Sequence, residues 1–210
     1  MNFITNPLEI EKRSFQIITE KLAGRTFDPK NLNVIKRVIH TTADFDYADN
    51  LFFSNDAVTV AQEALKNGAI VTDTQMAKSG INKKALEQLG CGLHCFINEP
   101  AVAENARAKG ITRSSAAVDN AIEILENPVI FVVGNAPTAL IRLYELISSR
   151  IFVPTMIIAV PVGFVNVVES KELILSLKVP HIVSKGQKGG SNVAAAICNA
   201  LLYEALERSL

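Results

Sequence analysis

An α/β fold is what the sequence predicts: three layers, flavodoxin-like, on a five-stranded parallel sheet of order 2-1-3-4-5 with an extra N-terminal helical segment. Three observations carry this. The run Val129–Val133 is short, charge-free and rich in β-branched residues, and passes through Gly134-Asn135-Ala136-Pro137-Thr138 into apolar residues at helical spacing, as a buried parallel strand does when it leads into a helix. From Ala69 onward the alternation of strand, turn and helix repeats, and parallel neighbours require such crossovers. Finally, 49% of the 210 residues are apolar, enough for a core on both faces of a sheet.

The elements follow in order. Thr5-Asn6-Pro7 offers a cap and a proline start, after which Ile10, Phe15, Ile17, Ile18 and Leu22 give a helix an apolar face up to Gly24. Asp28-Pro29 opens a second helix through Val34, Ile35 and Val38, which stops in the polar stretch His40-Thr41-Thr42-Ala43-Asp44. Asp56 to Lys66 is helical by periodicity and Asn67-Gly68 ends it. Residues 1–68 are thus mainly helical, and 69–210 form the parallel core of a single domain.

In that core the expected strands are Ala69–Thr72, Leu93–Ile97, Val129–Val133, Thr155–Val160 and His181–Ser184. Helical stretches lie between them: a short one to Ser79-Gly80, Val102 to Lys109, Ser115 to Glu126 capped at Thr112-Arg113-Ser114, and one that Pro137 starts, its φ already suited to a first helical position. The last helix runs from Ser191 to about Leu206.

Charge and cysteine content narrow the function. Lys plus Arg equals Asp plus Glu at 21 each, so no net field draws nucleic acid or an acidic membrane. Ile151–Val168 is uncharged, but Pro154, Pro161, Gly163 and Asn166 break it as a membrane span. Glu9, Glu11 and Lys12 precede any long apolar run, and with the odd cysteine count this predicts reduced thiols and a cytoplasmic protein. Cys91, Cys95 and Cys198 read as inert core residues, and no metal site is expected, since Cys91, His94 and Cys95 fall short of a full ligand set.

The predicted strand order places a crevice at the carboxyl ends of the strands. Four turns converge there: Asp73-Thr74-Gln75-Met76, Gly134–Thr138, Val162-Gly163-Phe164 and Gly186-Gln187-Lys188-Gly189-Gly190-Ser191. The amides of Asn135 and Ala136, ahead of a helix dipole, are expected to lie open to an anionic ligand group. A nucleotide is disfavoured. The last loop lacks the Gly-Lys-Ser/Thr ending, and no Gly-x-Gly-x-x-Gly follows a strand.

Several stretches resemble the precorrin-8X methylmutase family: Gly134–Leu140, Pro161–Val165 with Glu169-Ser170-Lys171 behind it, and the Gly186-x-x-Gly-Gly-Ser191 loop. An Arg-Ser pair in the first helix (Arg13-Ser14), a histidine before a small polar turn (His40) and a second Arg-Ser (Arg113-Ser114) follow the same pattern, so the resemblance spans about Pro7 to Ala200. It implies an isomerase that moves a methyl group between adjacent carbons of a corrinoid ring in cobalamin biosynthesis, without a cofactor, acting as a homodimer.

Such a substrate is a large apolar ring fringed with carboxylates, which suits glycine turns and helix starts around an apolar floor. Protonating the ring eases the shift, and a group titrating near neutrality does this best. His40 is the expected general acid, a choice that the resemblance supports. Arg113 is the expected carboxylate clamp, because a guanidinium fork matches a carboxylate. Ser14 and Thr74 are expected to bond side arms, Gln75 likewise with Met76 against the ring, and Arg13 either joins them or forms a structural ion pair. Asn135, Ala136, Thr138, Gly163, Phe164, Gly189 and Gly190 complete the expected substrate contacts. Glu169 and Lys171 read as a solvated helix pair, and His94 and His181 as satisfied histidines within strands. A corrinoid carrier without chemistry and a small nucleotide binder remain the competing readings.

Overall fold

The structure, a computed structural model, describes residues 3–54, 56–126 and 128–207; the ends of the expected 1–210 domain lie outside them. Helix α1 (Pro7–Lys21) starts where the Asn6 side chain accepts the N–H groups of Leu8 and Glu9, and α2 (Pro29–Thr42) where Asp28 accepts that of Lys30. Both carry proline in the first turn. There follow α3 (Tyr47–Asn50), β1 (Leu51–Phe53), α4 (Ala57–Ala64), β2 (Ala69–Thr72), α5 (Gln75–Gly80), α6 (Lys83–Leu89) and β3 (Gly92–His94). The remainder is α7 (Pro100–Lys109), α8 (Arg113–Ile124), β4 (Val129–Val133), α9 (Pro137–Ser148), β5 (Met156–Ala159), α10 (Val167–Leu175), β6 (His181–Ser184) and α11 (Ser191–Ala205).

Among the described residues the sheet has six strands, in the order β1-β6-β5-β4-β2-β3. The five expected strands neighbour one another and run parallel, but the expectation of a five-stranded, wholly parallel sheet is corrected by β1, which pairs antiparallel with β6 at the edge. Leu51-Phe52-Phe53 is too short for an alternation to be read from sequence. The segment before residue 69 therefore contributes to the sheet as well as to the helical layer. The second strand is also shorter than expected, Gly92–His94 instead of Leu93–Ile97, and α3 and α6 are additional.

Two apolar layers sandwich the sheet. Along β4, Ile130 and Val132 point into one layer with α2, α4 and α11, while Val129, Phe131 and Val133 point into the other with α7, α8 and α9. Alternate residues face opposite sides of a strand, so burial on both faces explains the unbroken apolar runs. α11 crosses the first layer buried almost all round, from Ser191 to Leu202. Among the described residues, no helix is long and apolar enough to cross a membrane.

Candidate active site

The carboxyl ends of β2, β4, β5 and β6 share one edge, and the turn after each strand is tied to its neighbour there. Pairing of Thr72 with Val132 puts Asp73, the next residue, beside the turn that follows β4. One Asp73 oxygen accepts the Gly134 N–H at 2.9 Å; the other accepts those of Asn135 and Ala136 at 2.8 and 2.7 Å. This corrects the expectation for the Asn135 and Ala136 amides: they are not open to a ligand anion, because the chain supplies its own carboxylate. Burial pushes the Asp73 carboxyl above its ordinary value, and the three N–H donors work against that rise. Asn135 still exposes its side chain, whereas Ala136 is buried.

Thr74 caps α5 by accepting the Ala77 N–H, and its hydroxyl lies 2.8 Å from that of Ser191 at the start of α11. Gly134 lets that start approach: a Cβ there would lie 2.9 Å from Ser191 Cα. Thr138 takes a hydroxyl bond from Thr112 at 2.8 Å and one on its carbonyl from Ser115 at 3.1 Å. These bonds bring Arg113, exposed at the start of α8, beside the start of α9. Gln75 donates to the Cys95 carbonyl at 3.3 Å.

The last turn folds over the end of β5. Gly190 donates to the Val160 carbonyl at 2.9 Å and Gln187 accepts the Gly163 N–H at 3.1 Å. Gly189 has no room for a side chain, since a Cβ would lie 2.1 Å from Val160 O. Around this polar edge, Met76, Phe164 and Val165 stand 72%, 82% and 77% exposed, an apolar surface of the kind that marks a ligand or partner site.

Lys171 holds the same turn from below. Its Nζ donates to the carbonyls of Gly186 and Lys188 at 2.7 and 2.8 Å and to Ser184 Oγ at 3.2 Å. The expectation of a solvated Glu169 and Lys171 pair is corrected: Glu169 is exposed, but Lys171 is 1% exposed, and burial pulls its ammonium down to about 8. The face of α10 on β6 carries the lysine inward.

His40 reaches this edge through β1. Leu51 lies opposite Ser184, so β1 begins at the carboxyl end of β6 and the preceding α3 and last turn of α2 enter there. His40 Nδ1 is 2.8 Å from Ser14 Oγ, and its ring stacks on Phe15 with centroids 5.1 Å apart. The Arg37 guanidinium lies 4.7 Å from the Phe15 ring and 5.4 Å from Tyr203, while its Nη1 donates to Glu11 at 2.7 Å. Burial first, and then the Arg37 charge, hold His40 below its ordinary 6.5, with Glu11 opposing. Arg13 instead pairs with Glu20 at 3.6 Å, both exposed. The polar stretch after His40 is joined to the glycine turn by Lys188, whose Nζ is 2.6 Å from both Asp44 and Asp46.

The structure thus gathers Thr74, Asn135, Ala136, Thr138, Gly163, Phe164, Gly189 and Gly190 at the sheet edge, with Arg113 beside them. It sets Ser14 and His40 as a pair at the β1 side of that edge. Other expectations fare variously. His181 is buried with Nδ1 2.8 Å from Val179 O, but Nε2 has no hydrogen-bond partner among the described residues, so it is only half satisfied; His94 stacks on Phe96. The three cysteines are free and buried. Sequence reasoning gave Asp73 and Lys171 no site role. A carboxylate directly after a charge-free strand was the available signal for Asp73, whereas nothing in the helical pattern marked Lys171.

The description "Precorrin-8X methylmutase" belongs to a family model that matches residues 9–204. A protein of Salmonella typhimurium named "Cobalt-precorrin-8 methylmutase" is 48% identical over 213 residues, covering 99% of this chain and 100% of that protein. A protein of the same name from Leptospira interrogans is 42% identical, with 99% of each chain covered. Among solved structures, "Crystal Analysis of Precorrin-8x Methyl Mutase from Thermus Thermophilus" superposes with a TM-score of 0.87 at 36% identity, covering 94% of this chain and 98% of that one.

Proposed function

This chain belongs to the precorrin-8X methylmutase family, and from that membership we propose that it converts cobalt-precorrin-8 with His40 as general acid. It is an isomerase of cobalamin biosynthesis. The cobalt form is the proposed substrate because the relatives at 48% and 42% identity carry that name. In the reaction a methyl group leaves one ring carbon as it bonds to the adjacent one, so substrate and product are isomers and no net oxidation occurs.

One observation supports the assignment of the acid above all: a half-buried imidazole, oriented by Ser14 through Nδ1, at the edge where the ends of β2, β4, β5 and β6 meet. Among the described residues Nε2 makes no hydrogen bond, which leaves it for the ring. Arg37 and burial keep the unliganded imidazole largely neutral near pH 7. A carboxylate-fringed substrate brings negative charge that raises its pKa, so the acid form is made when it is needed. The lent proton draws electron density toward the carbon that receives the methyl and returns to the imidazole afterwards.

The remaining contacts follow from chemistry. Arg113 clamps a carboxylate arm. Ser14, Thr74, Gln75, Asn135 and Thr138 supply single hydrogen bonds, with Arg13 at the periphery in its ion pair. Gly163, Gly189 and Gly190 let backbone approach the ring, and Phe164 gives it an apolar surface, while Ala136 contributes through the shape of its turn alone. The sequence of parallel strands supports a single flavodoxin-like domain, and the free thiols support a cytoplasmic setting. Exposed Ile10 and Ile17 on α1 support a homodimer that covers them.

The test is incubation of the purified protein with cobalt-precorrin-8 and with precorrin-8X while the visible spectrum is followed. Conversion of the cobalt form at the higher kcat/KM is expected. Preference for the metal-free form overturns the choice of substrate, and a silent spectrum with both overturns the reading as a whole.

A further inference from the structure

A buried lysine is an unusual expense, because an ammonium removed from water costs far more than an apolar side chain of the same length. Lys171 meets that cost with dipoles alone. Among the described residues no carboxylate pairs with it; its partners are the Gly186 and Lys188 carbonyls and the Ser184 hydroxyl, which itself donates to Lys188 O at 2.6 Å. An ammonium has three N–H donors, and three acceptors surround it, so each is matched once. The lock therefore works in both directions. If either carbonyl swings outward, the buried charge loses solvation that nothing else replaces, and if the lysine leaves, the Gly186 carbonyl loses its donor while the Lys188 carbonyl keeps only that of Ser184.

What the lock holds is the turn that carries Gly189 and Gly190. The backbone's own ties there are few: Gly190 N–H on Val160 O at 2.9 Å, Gly163 N–H on Gln187 O at 3.1 Å, Lys185 N–H on Asn50 O at 2.8 Å and, into α11, Ala194 N–H on Gly190 O at 2.9 Å. Gly186 and Gly190 have φ of 73° and 132°, so the turn contains residues with little conformational preference of their own. A glycine-rich turn with so few internal bonds samples many shapes unless something outside it selects one.

We propose that Lys171 is a positioning residue of the active site, fixing the 184–190 turn from beneath in the one conformation that receives the substrate. This rests on the methylmutase reading for the identity of the substrate, but not for the state of the turn. Lys171 touches neither substrate nor reacting atoms. It acts through the backbone that does.

The experiment compares wild type, Lys171→Met and Ser184→Ala in the full chain by site-resolved amide exchange and by steady-state kinetics with cobalt-precorrin-8. In Lys171→Met the Gly190 and Gly163 amides are expected to exchange about tenfold faster or more, the size of one lost charge-assisted hydrogen bond, while β5 amides keep their protection. KM is expected to rise about tenfold with kcat within about twofold, since the loss falls on substrate binding. Ser184→Ala, which removes one acceptor and leaves no bulk behind, moves both readouts the same way by about threefold. If Lys171→Met does not fold, Ser184→Ala decides, and unchanged exchange at Gly190 overturns the proposal. Equal acceleration across β5 also overturns it, because the lysine then serves stability alone, as does a fall in kcat with KM unchanged. Absence of turnover by wild type defeats the substrate reading instead, and the exchange data still decide what Lys171 does to the turn.

Discussion

Burial works against the charged form of both His40 and Asp73. At the imidazole the Arg37 guanidinium adds to that effect, whereas at the carboxylate three N–H donors oppose it. For His40 the folded value is depressed, so its share of stability is held above the ordinary 6.5 and lost as pH falls through the folded value. A general acid loses its proton as pH rises, so kcat/KM is expected to fall with rising pH through a midpoint below 6.5. Arg37→Met removes the opposing charge and frees Glu11, both of which move that midpoint upward; a midpoint that stays put contradicts the role given to Arg37. For Asp73 the prediction concerns stability. Asp73→Asn keeps one acceptor oxygen and faces the turn with an N–H group where an acceptor stood, so it is expected to cost about 2–4 kcal/mol and to lower Tm by roughly 6–12 °C in thermal denaturation. A loss under about 2 °C, less than 1 kcal/mol, means that the three short bonds carry no weight.

At the level of elements, legibility depended on whether a signal was local. The passage from β4 through Pro137 into α9 announces itself in consecutive residues, since strand period, turn and proline start all lie within one short stretch. β1 does not, because three residues define no period and their partner, β6, is more than a hundred positions away. The grip of Asp73 on the 134–136 amides was hidden for a related reason: it follows from the register between β2 and β4, which no local pattern specifies. Lys171 read as solvated because a Glu-x-Lys spacing on a helix usually is, and only the packing of α10 on β6 reverses it. The histidine and the glycine turns were visible as residues, yet what joins them, the β1 crossing and the Lys188 bridge to Asp44 and Asp46, was not. α1 carries its own test. Ile10 and Ile17 lie seven residues apart on one face, 48% and 38% exposed, while Ile18 turns inward. Sedimentation velocity is expected to give twice the chain mass for wild type and the chain mass for the Ile10→Asp, Ile17→Asp double variant; a wild-type monomer contradicts the dimer.

The whole molecule works as a frame that brings groups distant in sequence to one edge of a sheet. Parallel strands end together, so their turns meet without further instruction, and the antiparallel β1 delivers the N-terminal helices to the same place. Much of the polar architecture there is self-directed: Asp73 and Lys171 spend their charge on the protein's own backbone, and in the proposed mechanism the imidazole is the group that acts on the ring. The account stands or falls on that division of labour. The direct measurement is His40→Ala with cobalt-precorrin-8, reading binding by difference spectrum and turnover by product formation in one set of samples. The expected result is an affinity within a few-fold of wild type and a kcat lower by about 10²–10⁴, the usual contribution of a general acid. Turnover near the wild-type rate contradicts the account, because the proton then comes from somewhere other than His40.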